Sequence, residues 1–321
     1  MQLIREEGYT ETMEHTVLPY LRERVVSGSF ERIPGENIVY RSFSADHPKA
    51  DLVMVHGFTE GIDKFNEVIY YFLKEGFQVW QIQQRGHGKS VRLVDVPSLV
   101  HIDSFKALLD DLHYFVSKVV DQNRKDPALP KCIYGHSMGG GVSAAYLETW
   151  PDDFQKAVLT SPMLELDSGG TPTWLASLYS RFQINRGKGK EYLPGTSPFN
   201  PEPDFENSCG NSRARYDYWF PKMLERKEYQ TSAPSIATAL EFLRLTRYAT
   251  SKKNCSKVKA DVLLIQAGRD QVVKPGGQET FIRQIGKHGR LLRLENAKHE
   301  IYMGVNADLE KYWKEVMEFL H

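Results

Sequence analysis

Three residues of this 321-residue chain, Ser137, Asp270 and His299, have the side-chain types and the order needed to open a carbonyl. The serine stands in Gly135-His136-Ser137-Met138-Gly139, behind the short apolar run Lys131-Cys132-Ile133-Tyr134. Ahead of it, Gly141-Val142-Ser143-Ala144-Ala145-Tyr146-Leu147-Glu148 reads as a helix of small residues able to pack closely on a sheet. A sharp strand-to-helix turn there lifts the hydroxyl above the sheet in a strained backbone geometry, and Gly135 and Gly139 are required because a Cβ would crowd the turn. A serine hydroxyl is a poor nucleophile until a base takes its proton, and the base needs a carboxylate to orient it. Asp270 follows an apolar run in Gln266-Ala267-Gly268-Arg269-Asp270, and His299 follows the next in Asn296-Ala297-Lys298-His299. Both are therefore expected at the sheet edge that carries Ser137, in the chain order serine, acid, histidine. Glu295 is a rival acid and His288 a rival base, the latter in the turn-like Gly286-Lys287-His288-Gly289.

Acyl transfer builds negative charge on the carbonyl oxygen, and losing one backbone donor to it typically costs about 10²–10³-fold in rate. The amide of Met138, just after the serine, is one candidate. The other is the amide of Phe58 in His56-Gly57-Phe58, with Gly57 expected to permit an unusual backbone angle there.

These groups need a sheet to hold them. Residues 29–33 and 38–43, joined through Pro34-Gly35-Glu36-Asn37, predict an opening hairpin. Residues 52–55, 79–82, 131–134, 157–159, 262–265 and 291–294 predict short strands, with 131–134 suited to a buried one. Between them, Phe65, Val68, Ile69, Phe72 and Leu73 recur at helical spacing before Gly76. Residues 105–120 predict a second amphipathic helix, capped by Asp103 or Ser104. A helix around 278–285 and a final one with Leu309, Tyr312, Trp313, Val316 and Leu320 on one face complete the series. This alternation predicts an α/β fold, a mostly parallel central sheet with helices on both faces. Residues 163–257, rich in Pro, Gly, Asn and aromatics, interrupt it without strand signals. They predict a helical cap inserted over the carboxyl edge of the sheet, between a first core part, 1–162, and a second, 258–321.

Lys and Arg total 41 and Asp and Glu total 41, so the net charge is zero. That balance argues against bulk attraction to nucleic acid. Three cysteines, Cys132, Cys209 and Cys255, have no metal-like spacing and predict a reducing compartment without a disulfide framework. The first residues hold no apolar core of signal-peptide length, and no apolar run approaches the ~18 residues of a membrane span. The expectation is a soluble cytoplasmic protein, with peripheral contact at the inner membrane left open and the oligomeric state undetermined.

Taken together the motifs resemble the α/β-hydrolase superfamily, and within it the serine hydrolases that include monoacylglycerol lipases and bacterial lysophospholipase L2. Arg85-Gly86-His87-Gly88-Lys89-Ser90 is similar to their R-G-x-G-[KR]-S turn, and the segment 101–105 to their lead into the next helix. Ser161-Pro162-Met163 resembles their A-P-M step into the cap, and Ser212-Arg213-Ala214-Arg215-Tyr216 their S-R-x-R-Y element within it. Gln83-Gln84 departs from relatives that carry an aspartate before the Arg-Gly. The resemblance implies Ser137 as nucleophile, Asp270 as acid, His299 as base, and Phe58 and Met138 as oxyanion donors. It also implies a single-chain lipid ester as substrate, a lysophospholipid or a monoacylglycerol, with no metal or organic cofactor.

Within the insertion, Trp174, Leu175, Leu178, Tyr179 and Phe182 share one helical face. That face either walls an acyl channel, dips into a lipid interface, or packs the cap on the body. Arg213 and Arg215 could grip a phosphate head group, or pair with Asp217 or Glu225. An aminopeptidase of the same fold would want carboxylates for a free amine, for which Asp204-Phe205-Glu206 is the candidate. A non-catalytic binding protein is disfavoured, since all three triad types and both oxyanion elements are present.

Overall fold

The computed structural model describes residues 2–167 and 169–321. Among the described residues ten strands form two sheets: β1 (Val25–Glu31), β2 (Asn37–Phe43), β3 (Ala50–Val55), β4 (Phe77–Ile82), β5 (Leu99–Val100), β6 (Lys131–His136), β7 (Lys156–Thr160), β8 (Ala233–Pro234), β9 (Asp261–Ala267) and β10 (Gly289–Leu294). Eight of them make one sheet in the order β1-β2-β4-β3-β6-β7-β9-β10. All neighbours in it are parallel except β1–β2 and β2–β4. The sheet is mostly parallel and covered by helices on both faces.

Alternation along the buried strands sorts the two faces. Val53, Val55, Ile133, Leu159 and Leu264 join one apolar core with α2 (Phe105–Tyr114), α3 (Met138–Thr149), α6 (Ile236–Ala249) and α7 (Pro275–Ile285). Leu52, Met54, Tyr134, Val158 and Ile265 join the other with α1 (Asn66–Lys74), α8 (Asn306–Leu320) and the helical residues 9–22. The helical segment 9–22 was not anticipated from sequence, although Tyr9, Met13, Val17 and Leu21 bury at four-residue spacing. The cap of α2 is Ser104, whose Oγ accepts the Lys106 amide at 3.3 Å.

Strand order reverses between β3 and β6. From there β4 and β2 extend to one side, and β7, β9 and β10 to the other. Open α/β sheets bind ligands at such a switch point, outside the carboxyl ends of the strands.

Between β7 and β9 the chain leaves the sheet and forms α4 (Thr173–Asn185), α5 (Arg213–Leu224) and α6. Within this span, β8 pairs with β5 in parallel, a two-residue contact too short to show periodicity. The longest of these, α6, is integral to the body: Phe242, Leu245 and Ala249 are buried in the core that holds α3. Its start is also tied down, for Ser235 Oγ meets His101 Nδ1 at 2.8 Å and Glu241 Oε2 accepts the Phe105 amide at 2.9 Å. Among the described residues no helix is long and apolar enough to cross a membrane.

One buried acid on α3 sets a pH dependence. Glu148 is fully buried, with Oε1 accepting the Cys255 thiol at 3.3 Å and Oε2 without a partner. Burial pushes its carboxyl up from 4.5 to about 8, against the smaller opposing pulls of the Cys255 hydrogen bond and Lys257. The folded pKa lies above the unfolded one, so this group's stability contribution is intact below about 4.5 and is lost as pH rises through about 8. Replacing Glu148 by methionine removes the titration. The variant's unfolding free energy in urea, relative to wild type, is therefore expected to rise from pH 5 to pH 8.5 by on the order of 3 kcal/mol.

Candidate active site

The candidate residues all follow the carboxyl ends of parallel strands, two of them, β3 and β6, at the switch point. Ser137 comes directly after β6, Phe58 lies beyond β3, Asp270 beyond β9 and His299 beyond β10. Ser137 has φ 51° and ψ −118°, the strained turn anticipated from sequence. The small residues around it are sterically required. A Cβ on Gly139 would lie 2.2 Å from the Val55 carbonyl oxygen, and one on Gly135 would lie 2.5 Å from Ser143 Oγ.

His299 Nε2 is 2.8 Å from Ser137 Oγ, and its Nδ1 is 2.7 Å from Asp270 Oδ2. The other oxygen of Asp270 accepts the amides of Val272 at 2.8 Å and Val273 at 3.0 Å. Burial raises the Asp270 carboxyl, yet the His299 hydrogen bond and charge, with the two amides, outweigh it and hold it below the usual aspartate range. An ionised Asp270 keeps the imidazole proton on Nδ1, leaving Nε2 free to accept from the serine. The rivals lie elsewhere. Glu295 pairs with Arg293 on the surface, and His288 contacts Asp261 at 3.2 Å.

The loop after β3 is fixed at its flanks and free in its middle. The Gly57 amide donates to Glu60 Oε2 at 2.5 Å, and the Thr59 amide donates to His87 Nε2 at 3.1 Å. His56 accepts the Gln84 amide on Nε2, so its Nδ1–H donates to the Gly57 carbonyl at 2.8 Å. By the same reasoning His87 Nδ1–H donates to the Arg85 carbonyl at 3.0 Å. Burial holds both imidazoles below the usual histidine range, as these neutral tautomers require. Between the two occupied amides, the Phe58 N–H has no acceptor among the described residues. The Met138 N–H, in the first turn of α3, has none either. Two buried-side donors beside Ser137 thus stay available for an anionic oxygen.

Gly57 serves this loop differently from the sequence expectation. Its φ is not positive; the left-handed residue is Thr59, with φ 57°. Glycine is needed at 57 because a Cβ would come within 3.1 Å of Ser137 Cβ and 2.7 Å of Glu60 Oε2.

The insertion residues divide. Trp174 and Tyr179 lie on α4, whose apolar face is turned to solvent: Trp174 is 68% and Phe182 55% exposed, with Leu175, Leu178 and Tyr179 exposed as well. Of the three alternatives for this face, packing on the body is therefore the one corrected. Arg215 is corrected too. It is 0% exposed, and its guanidinium bonds both Glu67 oxygens at 2.7 and 2.9 Å, so no head group can reach it. Arg213 stays at the surface and pairs with Asp217 at 2.8 Å. Asp204 is also exposed, with its carboxylate on Asn207. Glu60, Lys64, His87 and Tyr302, all close to the loop or to the histidine, were not singled out from sequence. Glu60 and Lys64 at i,i+4 read locally as a surface helix pair, and only the folded chain reveals their partners.

Fold and site together define a hydrolase of the α/β-hydrolase class. The relatives share that class. The chain belongs to the serine aminopeptidase S33 family, which matches it over residues 46–305. It is similar to lysophospholipase L2 of Escherichia coli K12, 27% identical over 276 residues that cover 83% of this chain and 78% of that one. Similarity to a monoacylglycerol lipase of Mycolicibacterium smegmatis reaches 30% over 149 residues, 46% of this chain and 50% of that one. Among solved structures, a soluble variant of monoglyceride lipase from Saccharomyces cerevisiae has a TM-score of 0.73 at 17% identity, covering 92% of this chain and 94% of that one, a likeness of fold.

Proposed function

We propose that this chain is a serine carboxylic-ester hydrolase that releases a fatty acid from a lysophospholipid or a monoacylglycerol through an acyl-enzyme on Ser137. The observation that carries the reading is the unbroken path from Ser137 Oγ through His299 to Asp270, beside two unclaimed amides. His299 Nε2 takes the serine proton as Oγ attacks the ester carbonyl, and the oxyanion rests on the Phe58 and Met138 N–H groups. The imidazolium then protonates the departing glycerol oxygen, leaving the acyl chain on Ser137. Water, deprotonated by the same nitrogen, attacks the acyl carbonyl, and His299 returns the proton to Oγ as the fatty acid leaves. The names of the Escherichia coli and Mycolicibacterium relatives support the substrate class.

In this reading residues 163–257 are the cap, anchored to the body through α5 and α6, and the exposed stripe on α4 meets the lipid interface. Replacing Trp174 and Leu178 together by serine is expected to slow release from vesicle-borne substrate about tenfold while leaving a soluble short-chain ester unaffected. Equal effects on both substrates would remove the interfacial role.

The primary test is fatty-acid release from lysophosphatidylcholine, lysophosphatidylethanolamine and monoacylglycerol, with Ser137→Ala as blank. With Arg215 buried and Arg213 paired, neither of these guanidiniums is left for a phosphate, so rates on the three are expected within about tenfold of one another. Wild type matching the blank on all three overturns the lipid reading. The family's description favours a second one, an aminopeptidase. Its expected amine grip is weak, since Asp204 already bonds Asn207 at the surface. Ser137-dependent cleavage of aminoacyl p-nitroanilides in place of lipid esters would establish it.

A further inference from the structure

A buried polar cluster lies beneath the site and takes no part in the chemistry described above. Glu60 is buried, and each of its oxygens reaches a different loop. Oε2 accepts the Gly57 amide at 2.5 Å, one residue before Phe58. Oε1 accepts the Tyr302 hydroxyl, three residues after His299. Lys64 repeats the link: its ammonium bonds Glu300 Oε1 at 2.5 Å and lies 3.8 Å from Glu60 Oε1. Tyr302 is clamped in turn, stacked on Phe65 with ring centroids 4.7 Å apart and edge-on to His136 at 5.1 Å. His136 directly precedes Ser137. Glu60's own loop and the His299 loop, which must keep register through two tetrahedral intermediates, therefore meet at one carboxylate, and the Ser137 loop approaches it through His136, whose Nε2 lies 3.8 Å from Glu60 Oε1.

We propose that Glu60, with Tyr302 and Lys64, is a positioning device that locks the Phe58 amide to the His299 loop. The inference rests on the hydrolase reading above and deepens it. A carboxylate suits the task because it accepts from two directions at once, and its burial makes both bonds stronger than they would be in water. Without it the Gly57 amide and the Tyr302 hydroxyl lose their common partner, and the loop bearing Phe58 can drift relative to the base. Displacements of about 1 Å at such a site cost about 10²-fold.

The test measures kcat and KM per active site, titrated with a fluorophosphonate, for Glu60→Ala, Tyr302→Phe, their double variant and Glu60→Gln. Glu60→Ala is expected to lower kcat about 10²-fold with KM within about threefold, and Tyr302→Phe about tenfold. The double variant should be no slower than Glu60→Ala, because both remove one link. Glu60→Gln should recover most of the loss, its oxygen accepting from Gly57 and its amide donating to the Tyr302 oxygen. Tyr302→Phe keeps the proposal testable if Glu60→Ala folds poorly. Unchanged kcat per titrated site, or losses that multiply in the double variant, overturns the proposal while the labelled serine leaves the hydrolase reading standing. A wild type that fluorophosphonate does not label at Ser137 overturns both.

Discussion

Ser137→Ala is expected to lower kcat on the preferred ester by on the order of 10⁶-fold and to abolish fluorophosphonate labelling. His299→Ala should cost about as much, and the two together no more, because the serine and its base act as one unit. Asp270→Asn is the more informative change. Asp270 Oδ1 already accepts two backbone amides, so the asparagine oxygen stays on that side and its amino group turns toward His299. Facing a donor, the ring moves its proton to Nε2, where it opposes the serine hydroxyl. The expected loss is about 10⁴-fold with near-native stability, read from kcat and a thermal melt. A serine variant with full labelling, or an Asp270→Asn enzyme at wild-type rate, contradicts the assignment.

The second large effect concerns stability and leaves catalysis alone. Arg215→Ala is expected to destabilise the fold by about 3–5 kcal/mol, because it strands Glu67 in the interior. Glu67 is held there by both Arg215 bonds and by the hydroxyls of Tyr9 and Tyr71, each at 2.7 Å. Arg215 also donates to the carbonyls of Gly304 at 3.2 Å and Ile4 at 3.3 Å, so its loss loosens three parts of the chain. Removing both charges with Arg215→Met and Glu67→Gln should restore part of the loss, as replacement of a whole buried pair often does. Chemical denaturation gives the size. The ratio of kcat/KM on lysophosphatidylcholine to that on monoacylglycerol should not move in the soluble fraction. A shifted ratio with unchanged stability would return Arg215 to the substrate.

How much of this was legible in the sequence depends on the range of the interaction. The strained turn at Ser137 was readable because its requirements are local: a strand before it, small residues around it and a helix after it. Asp270 and His299 could be placed because each trails an apolar strand, and parallel strands deliver their carboxyl ends to one edge. Arg215 was not readable. Its partner Glu67 lies 148 residues away, and an arginine in a polar, aromatic helix looks the same whether solvated or buried. Glu60 and Tyr302, 242 residues apart, were hidden for the same reason. Gly57 was singled out correctly but on the wrong ground, since neighbour crowding leaves no trace in the local pattern whereas backbone angle preferences do. In α4 the apolar face was visible, while its exposure depended on packing that periodicity does not encode.

The segment from 163 to 257 is not a detachable module. Its α5 end is sewn to the body by the Arg215–Glu67 pair, and its α6 end is sunk, through Leu245, Phe242 and Ala249, into the core beside α3. The stretch 169–210, with α4 in it, is tied more lightly, by hydrogen bonds such as Tyr192 to Ser98 at 2.7 Å and Lys298 to the Ser208 carbonyl at 3.1 Å. Segment exchange with a relative of different substrate preference should therefore cut near residues 165 and 210. Grafts of the whole insertion would tear out part of the interior, whereas the shorter graft trades selectivity without touching the foundations of the fold.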